Sequence, residues 1–236
     1  MRPESRKPIM NIRKYIAEFL GTFALVFCGT GAIIINEEVS GSITQVGIAI
    51  TFGLIVMSMI YAMGDISGAH FNPAVSIAFT LSGRLPFKNL LPFIVSQVTG
   101  AIAASTVLRF LFPQNQLLGA TMPSGSQSQS FVLEFILTFF LMLTIIHVAT
   151  GSKERGVTAA LAIGSVVGLE AMFAGPICGA SMNPARSLAP AIISHHMEHL
   201  WIYFAGPIMG ASAAAPIGKF LLSSAKGTKA GVEHID

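Results

Sequence analysis

Charge is what this chain has least of. Only 11% of its 236 residues are Asp, Glu, Lys or Arg, against 53% that are hydrophobic. A soluble domain carries about 25% charged residues, so this one lacks the polar surface to cover itself in water. That excludes a soluble enzyme, a disordered chain and a nucleic-acid binder as leading readings. The net charge of +3 does not point to nucleic acid either, because the basic residues gather at segment ends, where they orient a membrane protein. Cysteine is scarce as well: two residues make no disulfide framework. Alternating ten-residue segments of a lipid-facing β-barrel are also missing.

Long apolar runs are what the chain has in abundance. A membrane span needs about 20 largely apolar residues, and six stretches qualify: 12–35, 43–63, 89–111, 130–150, 157–175 and 199–222. Backbone polar groups in lipid must be satisfied within the segment, which predicts helices. The first run is too long for the apolar region of a signal peptide and contains Glu18, so it is expected to stay as a span. If six helices alternate, twelve of the fourteen Lys and Arg fall on one side, leaving only Arg109 and Arg186. The positive-inside rule then puts both termini in the cytoplasm.

The chain repeats itself. Glu18 to Phe23 matches Glu134 to Phe139 at four of six positions, Gly68 to Ala74 matches Gly179 to Ala185 at five of seven, and Gly100 to Ala104 matches Gly210 to Ala214 at four of five. Each half crosses three times, an odd number, so the second half must be inverted relative to the first. The expected organisation is a cytoplasmic arm (1–11), a first three-helix repeat (12–111), an extracellular linker (112–129), a second repeat (130–222) and a cytoplasmic tail (223–236).

Each repeat also holds an apolar segment too short to span, expected as half-helices over 72–82 and 183–193. Asn72-Pro73-Ala74 opens one and Asn183-Pro184-Ala185 the other. Asn is a favoured N-cap and Pro a favoured first helical residue. Inversion brings the two N-termini together near the midplane, each carrying roughly half a positive charge and free N–H groups. Such a point repels cations, protons included. The irregular backbone before each Asn is tolerated at membrane depth only where it is buried or lines a cavity, so Gly68, Ala69, His70, Gly179 and Ser181 are candidates to line a pore with carbonyls. The fold expected is an all-α membrane protein with six transmembrane helices, two re-entrant half-helices and inverted repeats.

These residues resemble the aquaporin (major intrinsic protein) family over residues 12–222, on two Asn-Pro-Ala motifs 111 residues apart, the second continuing to Arg186-Ser187. The resemblance implies a homotetramer in a lipid bilayer, with one pore per subunit passing water or small uncharged solutes, no enzymatic chemistry and no cofactor or metal. It also implies a four-residue selectivity filter, which by spacing from the motifs falls on Phe52, Ala171, Ala180 and Arg186. Water-selective members have His at the second position. Ala171 departs from that and suggests a wider filter, similar to glycerol-passing members and to nodulin-like intrinsic proteins, which pass glycerol and uncharged metalloid acids.

The resemblance assigns Glu18 and Glu134 to hydrogen bonds with the two re-entrant loops. Glu170 stands beside Ala171 where an apolar residue is expected, and two readings are open: a tether for the outer loop, or a partner for Arg186. His70 reads as a loop-packing residue or a gate. Cys178 is placed in the outer loop, and His195, His196 and His199 in a solvated mouth rather than a metal site. The readings that compete with a wide channel are a strictly water-selective one and, from another class, a secondary active transporter with inverted repeats, which needs an ion-coupling carboxylate. The membrane expected is a cell (inner or plasma) membrane.

Overall fold

A computed structural model describes residues 12–149 and 153–230, with side chains except at 153–157 and 224–230. The expected arm at 1–11 and the end of the expected tail at 231–236 lie outside the described residues, as do the side chains of Lys153, Arg155, Lys226 and Lys229. The described chain is helical: α1 (Ile12–Glu38), α2 (Thr44–Ser67), α3 (Pro73–Leu81), α4 (Phe87–Leu111), α5 (Gln127–Val148), α6 (Lys153–Cys178), α7 (Pro184–Ser194) and α8 (Leu200–Ala230). Six of these, α1, α2, α4, α5, α6 and α8, are long and apolar enough to cross a membrane. The two short ones, α3 and α7, are the half-helices.

The inverted repeat is visible in the packing. Helix α1 packs on α4 as α5 packs on α8, and α2 packs on α6 across the two halves. Lipid tails offer little hydrophobic drive for helices to associate, so small residues that let backbones approach carry the contact. Both halves use the same glycine for this. A Cβ on Gly100 would come within 2.3 Å of Phe19 O, and one on Gly210 within 2.2 Å of Phe135 O.

Each half-helix is started by its Asn. The Oδ1 of Asn72 accepts from Ala74 N at 2.8 Å. The Oδ1 of Asn183 accepts from Ala185 N at 3.0 Å and from Arg186 N at 3.4 Å. Both residues are extended, and proline fills the first helical position of each element, where its missing N–H costs nothing. Helix α3 then packs against α8, and α7 against α4, so each half-helix rests on the last helix of the other repeat.

Several boundaries differ from expectation. Helix α6 runs through Pro176 to Cys178 and stops at Gly179, which has φ +82° and donates its N–H to Gly175 O. Cys178 is thus the last helical residue rather than part of a loop. A proline in the last turn removes one hydrogen bond without ending the helix there. Helix α8 continues to Ala230, past the expected boundary at 223. The long connection before α5 also differs from a solvated linker: Asn115, Leu118 and Thr121 are buried, and Ser124 N donates to Ile177 O at 2.9 Å.

Candidate functional site

The two half-helix N-termini meet through their asparagines. Asn72 Nδ2 donates to Met182 O at 2.7 Å, and Asn183 Nδ2 donates to Phe71 O at 2.8 Å. Each Asn therefore caps its own helix with Oδ1 and ties the opposite loop with Nδ2. A primary amide has two N–H groups, so each keeps one more to offer.

The loops leading into these caps are strained in matching ways. Ala69 and Phe71 have φ of 50°, and Ala180 and Met182 have φ of 40° and 53°. A left-handed non-glycine residue costs about 1–2 kcal/mol, so something must hold it. In the first half it is Glu18, whose Oε1 accepts from His70 N at 3.0 Å and Oε2 from Phe71 N at 2.8 Å. In the second half Glu134 takes Ser181 N on Oε1 and Met182 N on Oε2, both at 2.8 Å. A hydrogen bond contributes about 0.5–1.5 kcal/mol net, and the two made by each carboxyl are of the order of the strain they oppose.

This clamping sets the direction of the carbonyls. In a trans peptide the C=O points opposite to the N–H of the same plane. With the amides of His70, Phe71, Ser181 and Met182 turned to the carboxylates, the oxygens of Ala69, His70, Ala180 and Ser181 turn away from them. All four residues line one cavity of about 790 Å³, together with Gly68, Asn72 and Asn183. Its other wall is apolar, with Leu25, Leu141, Ile163 and Val167. Gly179 lines a second cavity of about 190 Å³ instead, on the side of the connection between α4 and α5, a side named outer for that connection alone.

The two cavities share three wall residues: Phe52, Ala171 and Ala180. Arg186 lines the outer cavity beside them. The four positions taken from motif spacing are thus brought together where the cavities meet. Two are alanines, so Phe52 and Arg186 are the two large side chains among the four. The guanidinium carbon of Arg186 lies 5.1 Å from the Phe52 ring centroid. Its Nη1 donates to Gly119 O at 2.8 Å, and the residue is 2% exposed. Its Nε is buried with no partner among the described residues, leaving a donor unused. Phe52 in turn sits over Gly29, where a Cβ would come within 2.1 Å of the ring.

Several contributors escaped the sequence reading. Gln97, fully buried in α4, donates from Nε2 to Glu18 Oε2 at 2.7 Å and to Ser76 Oγ at 2.9 Å. Ser67 Oγ donates to Glu18 Oε1 at 2.6 Å. A glutamine in mid-span was a usable signal, since polar groups there require partners. Gly119 and Thr121 come from the outer connection. Thr121 Oγ1 donates to Ser187 Oγ at 2.8 Å, and Ser187 Oγ is paired with Ser181 Oγ. His70 plays the matching part in the first half, its Nδ1 3.0 Å from Ser76 Oγ and its ring against Phe79 and Phe93.

Glu170 departs from both readings offered for it. It is 5% exposed, and among the described residues no hydrogen bond reaches it from the outer connection or from Arg186; its Oε2 has no partner. Its carboxyl faces the protein interior, within electrostatic reach of Glu134. Cys178 is buried, donates weakly to Ala174 O and lines neither cavity. His195 caps the end of α7 in a left-handed conformation.

Known proteins show the same pattern. The family described as Major intrinsic protein matches residues 5–217. Aquaporin NIP1-1 of Zea mays is 48% identical over 205 residues, covering 86% of this chain and 73% of that protein. Nodulin-26 of Glycine max is 44% identical over 215 residues, covering 91% and 79%. The X-ray structure of the aquaglyceroporin from Plasmodium falciparum superposes with a TM-score of 0.76 at 27% identity, covering 87% of this chain and 94% of that one. With its inverted helical repeats, paired Asn-Pro-Ala caps and adjoining cavities, this chain belongs to the major intrinsic protein family and is a multi-pass membrane channel for water and small solutes, not an enzyme.

Proposed function

We propose that the channel passes glycerol and similarly small uncharged hydrogen-bonding solutes, urea and metalloid acids such as arsenous or boric acid included, with water as a co-permeant, and that it excludes ions and protons. The observation that carries this is the pair of alanines, Ala171 and Ala180, on the wall shared by the two cavities. With no large side chain at either position, the passage is bounded by the Phe52 ring and the Arg186 guanidinium. A solute with hydroxyls along one edge and carbon along the other suits this path. Arg186 donates to it, the carbonyls of Ala180, Ser181, Ala69 and His70 accept along the way, and Phe52 with the aliphatic wall meets the apolar edge. The name of the Plasmodium falciparum relative and the nodulin-type relatives support the same solute class.

Exclusion of charge follows from three positive ends. Arg186 stands at the outer constriction, and the N-termini of α3 and α7 face each other at the asparagines, each worth roughly half a charge. Cations meet this barrier where they have lost most of their water. In the same reading the subunits form a homotetramer with a pore in each, both termini face the cytoplasm on the side holding twelve of fourteen basic residues, and the protein resides in a cell (inner or plasma) membrane. The division at 112–129 separates the two repeats, with that connection outside.

The test is stopped-flow light scattering on proteoliposomes, under a glycerol gradient and separately under an impermeant osmolyte, with Ala171→His alongside. Glycerol flux above empty vesicles, lost in the variant while water flux persists, is the expected result. Water flux without glycerol flux in the wild type makes this a water-selective channel narrowed by another residue.

A further inference from the structure

Gln45 stands in the first turn of α2 and lines the outer cavity with Phe52, Ala171, Ala180 and Arg186. Its side chain is held rather than loose. Nε2 donates to the backbone carbonyl of Ala171 at 2.9 Å, across 126 residues of sequence. Gly175, one turn beyond Ala171 on α6, makes the room: a Cβ there would come within 2.5 Å of Gln45 Nε2. The amide is thus docked against the filter wall by a hydrogen bond and by the absence of a neighbouring side chain. With Nε2 committed, Oε1 has no donor among the described residues. An amide oxygen has two lone pairs to offer.

The outer cavity therefore holds a fixed acceptor on the α2 side and fixed donors on Arg186. Its remaining wall is largely aliphatic, including Ile33, Ile48 and Leu117. A site that pairs a preset acceptor with a preset donor favours solutes carrying O–H or N–H groups. It has little to offer water in particular, which finds partners anywhere.

We propose that Gln45 is a fifth specificity-determining residue, whose Oε1 accepts a hydroxyl or amide hydrogen from the incoming polyol or urea while Arg186 donates to the same molecule. The reading rests on the wide filter proposed above. It adds that the solute is selected within the outer cavity, whose wall Gln45 shares with Phe52 and Arg186. Docking Nε2 on Ala171 O also removes that carbonyl from the path, so the acceptor the solute meets is the side chain and not the helix backbone.

Three proteins are compared in proteoliposomes: wild type, Gln45→Met and Gln45→Glu. Methionine keeps the length and removes both hydrogen-bonding functions. Glutamate keeps an acceptor but cannot donate to Ala171 O. Glycerol and water permeabilities are read on the same vesicles. The expected result is a glycerol permeability roughly three- to tenfold lower in Gln45→Met, the worth of one hydrogen bond, with water within twofold of wild type, and glycerol largely retained in Gln45→Glu. If both variants lose glycerol flux alike, Gln45 only holds the Ala171 carbonyl and the inference is overturned. It is overturned too if neither loses it, or if water falls in step with glycerol in Gln45→Met. Failure of the underlying reading looks different, because then the wild type itself passes no glycerol.

Discussion

Arg186 and Phe52 face each other at 5.1 Å from guanidinium carbon to ring centroid, and neither is free to move away. Arg186 is held by Gly119 O, and Phe52 is backed by the bare α-carbon of Gly29. In the proposed filter, the distance between them, rather than either residue alone, would set the aperture beside the two alanines. A cation over an aromatic face contributes about 0.5–2 kcal/mol depending on its exposure, so the pair also holds itself in register.

Gly29→Ala tests this backing. The added methyl occupies space now taken by the ring edge at 2.1 Å, so the Phe52 ring has to shift toward the passage. The expected outcome is a narrower channel: glycerol permeability falls at least fivefold while water permeability falls less than twofold. Unchanged glycerol flux in a folded variant shows that Phe52 does not bound the aperture.

The two loop carboxylates are equivalent in role but not in surroundings. Replacing either by glutamine exchanges one acceptor for a donor and leaves a buried loop N–H unpaired, at a cost of about 1–3 kcal/mol. Around Glu18, Gln97 carries a buried Oε1 with no partner among the described residues, and that oxygen can turn to accept from the introduced amide. Ser67 Oγ can also exchange its donor role for an acceptor role. The second half has no glutamine at the matching place; Pro207 stands 110 residues on from Gln97. Glu134→Gln is therefore expected to lower the melting temperature in detergent more than Glu18→Gln, with water flux following the same order. The reverse order refutes the rescue by Gln97.

Glu170 is a buried carboxyl whose Oε2 finds no partner among the described residues. Taking a polar group out of water without a compensating hydrogen bond costs stability, and replacing it by an apolar residue of similar size often restores some. Glu170→Leu is expected to raise stability by about 1–3 kcal/mol and to leave glycerol and water permeability within twofold. Thermal unfolding in detergent and the vesicle assay read the two halves of that statement. A drop in melting temperature reveals a partner for the carboxyl.

The helices and the half-helices were legible because their causes are local. Long apolar runs, and Asn-Pro at a helix start, carry the same meaning in any membrane chain. The pairing of the two caps followed from an odd number of crossings per half. The proposed filter positions came only through family resemblance, since Phe52 lies on α2, Ala171 on α6, Ala180 in the loop after it and Arg186 on α7, and nothing local links them. Gly119 and Thr121 stayed hidden because a polar connection rich in Gly and Ser looks the same whether it is solvated or folded over a site. The end of α6 was misplaced because Pro176 signals a stop, yet in the last turn of a helix it removes a single bond. Glu170 was assigned a partner because a carboxyl in a span demands one, and among the described residues its Oε2 has none.

The cross-bracing of the half-helices bears on how the protein is made. Helix α3 rests on α8, which begins at Leu200, well over a hundred residues after α3 ends at Leu81. At a synthesis rate of about 5–20 residues per second, roughly ten seconds pass between the emergence of the two. Through that interval the first Asn-Pro-Ala segment enters the bilayer without the opposing carbonyl of Met182 that its asparagine grips. The nascent first half is thus a bundle with a polar notch and no stopper, its loop held from within the half by Glu18 with Gln97 and Ser67. The extra carboxamide of the earlier half is a brace suited to the half that has to wait.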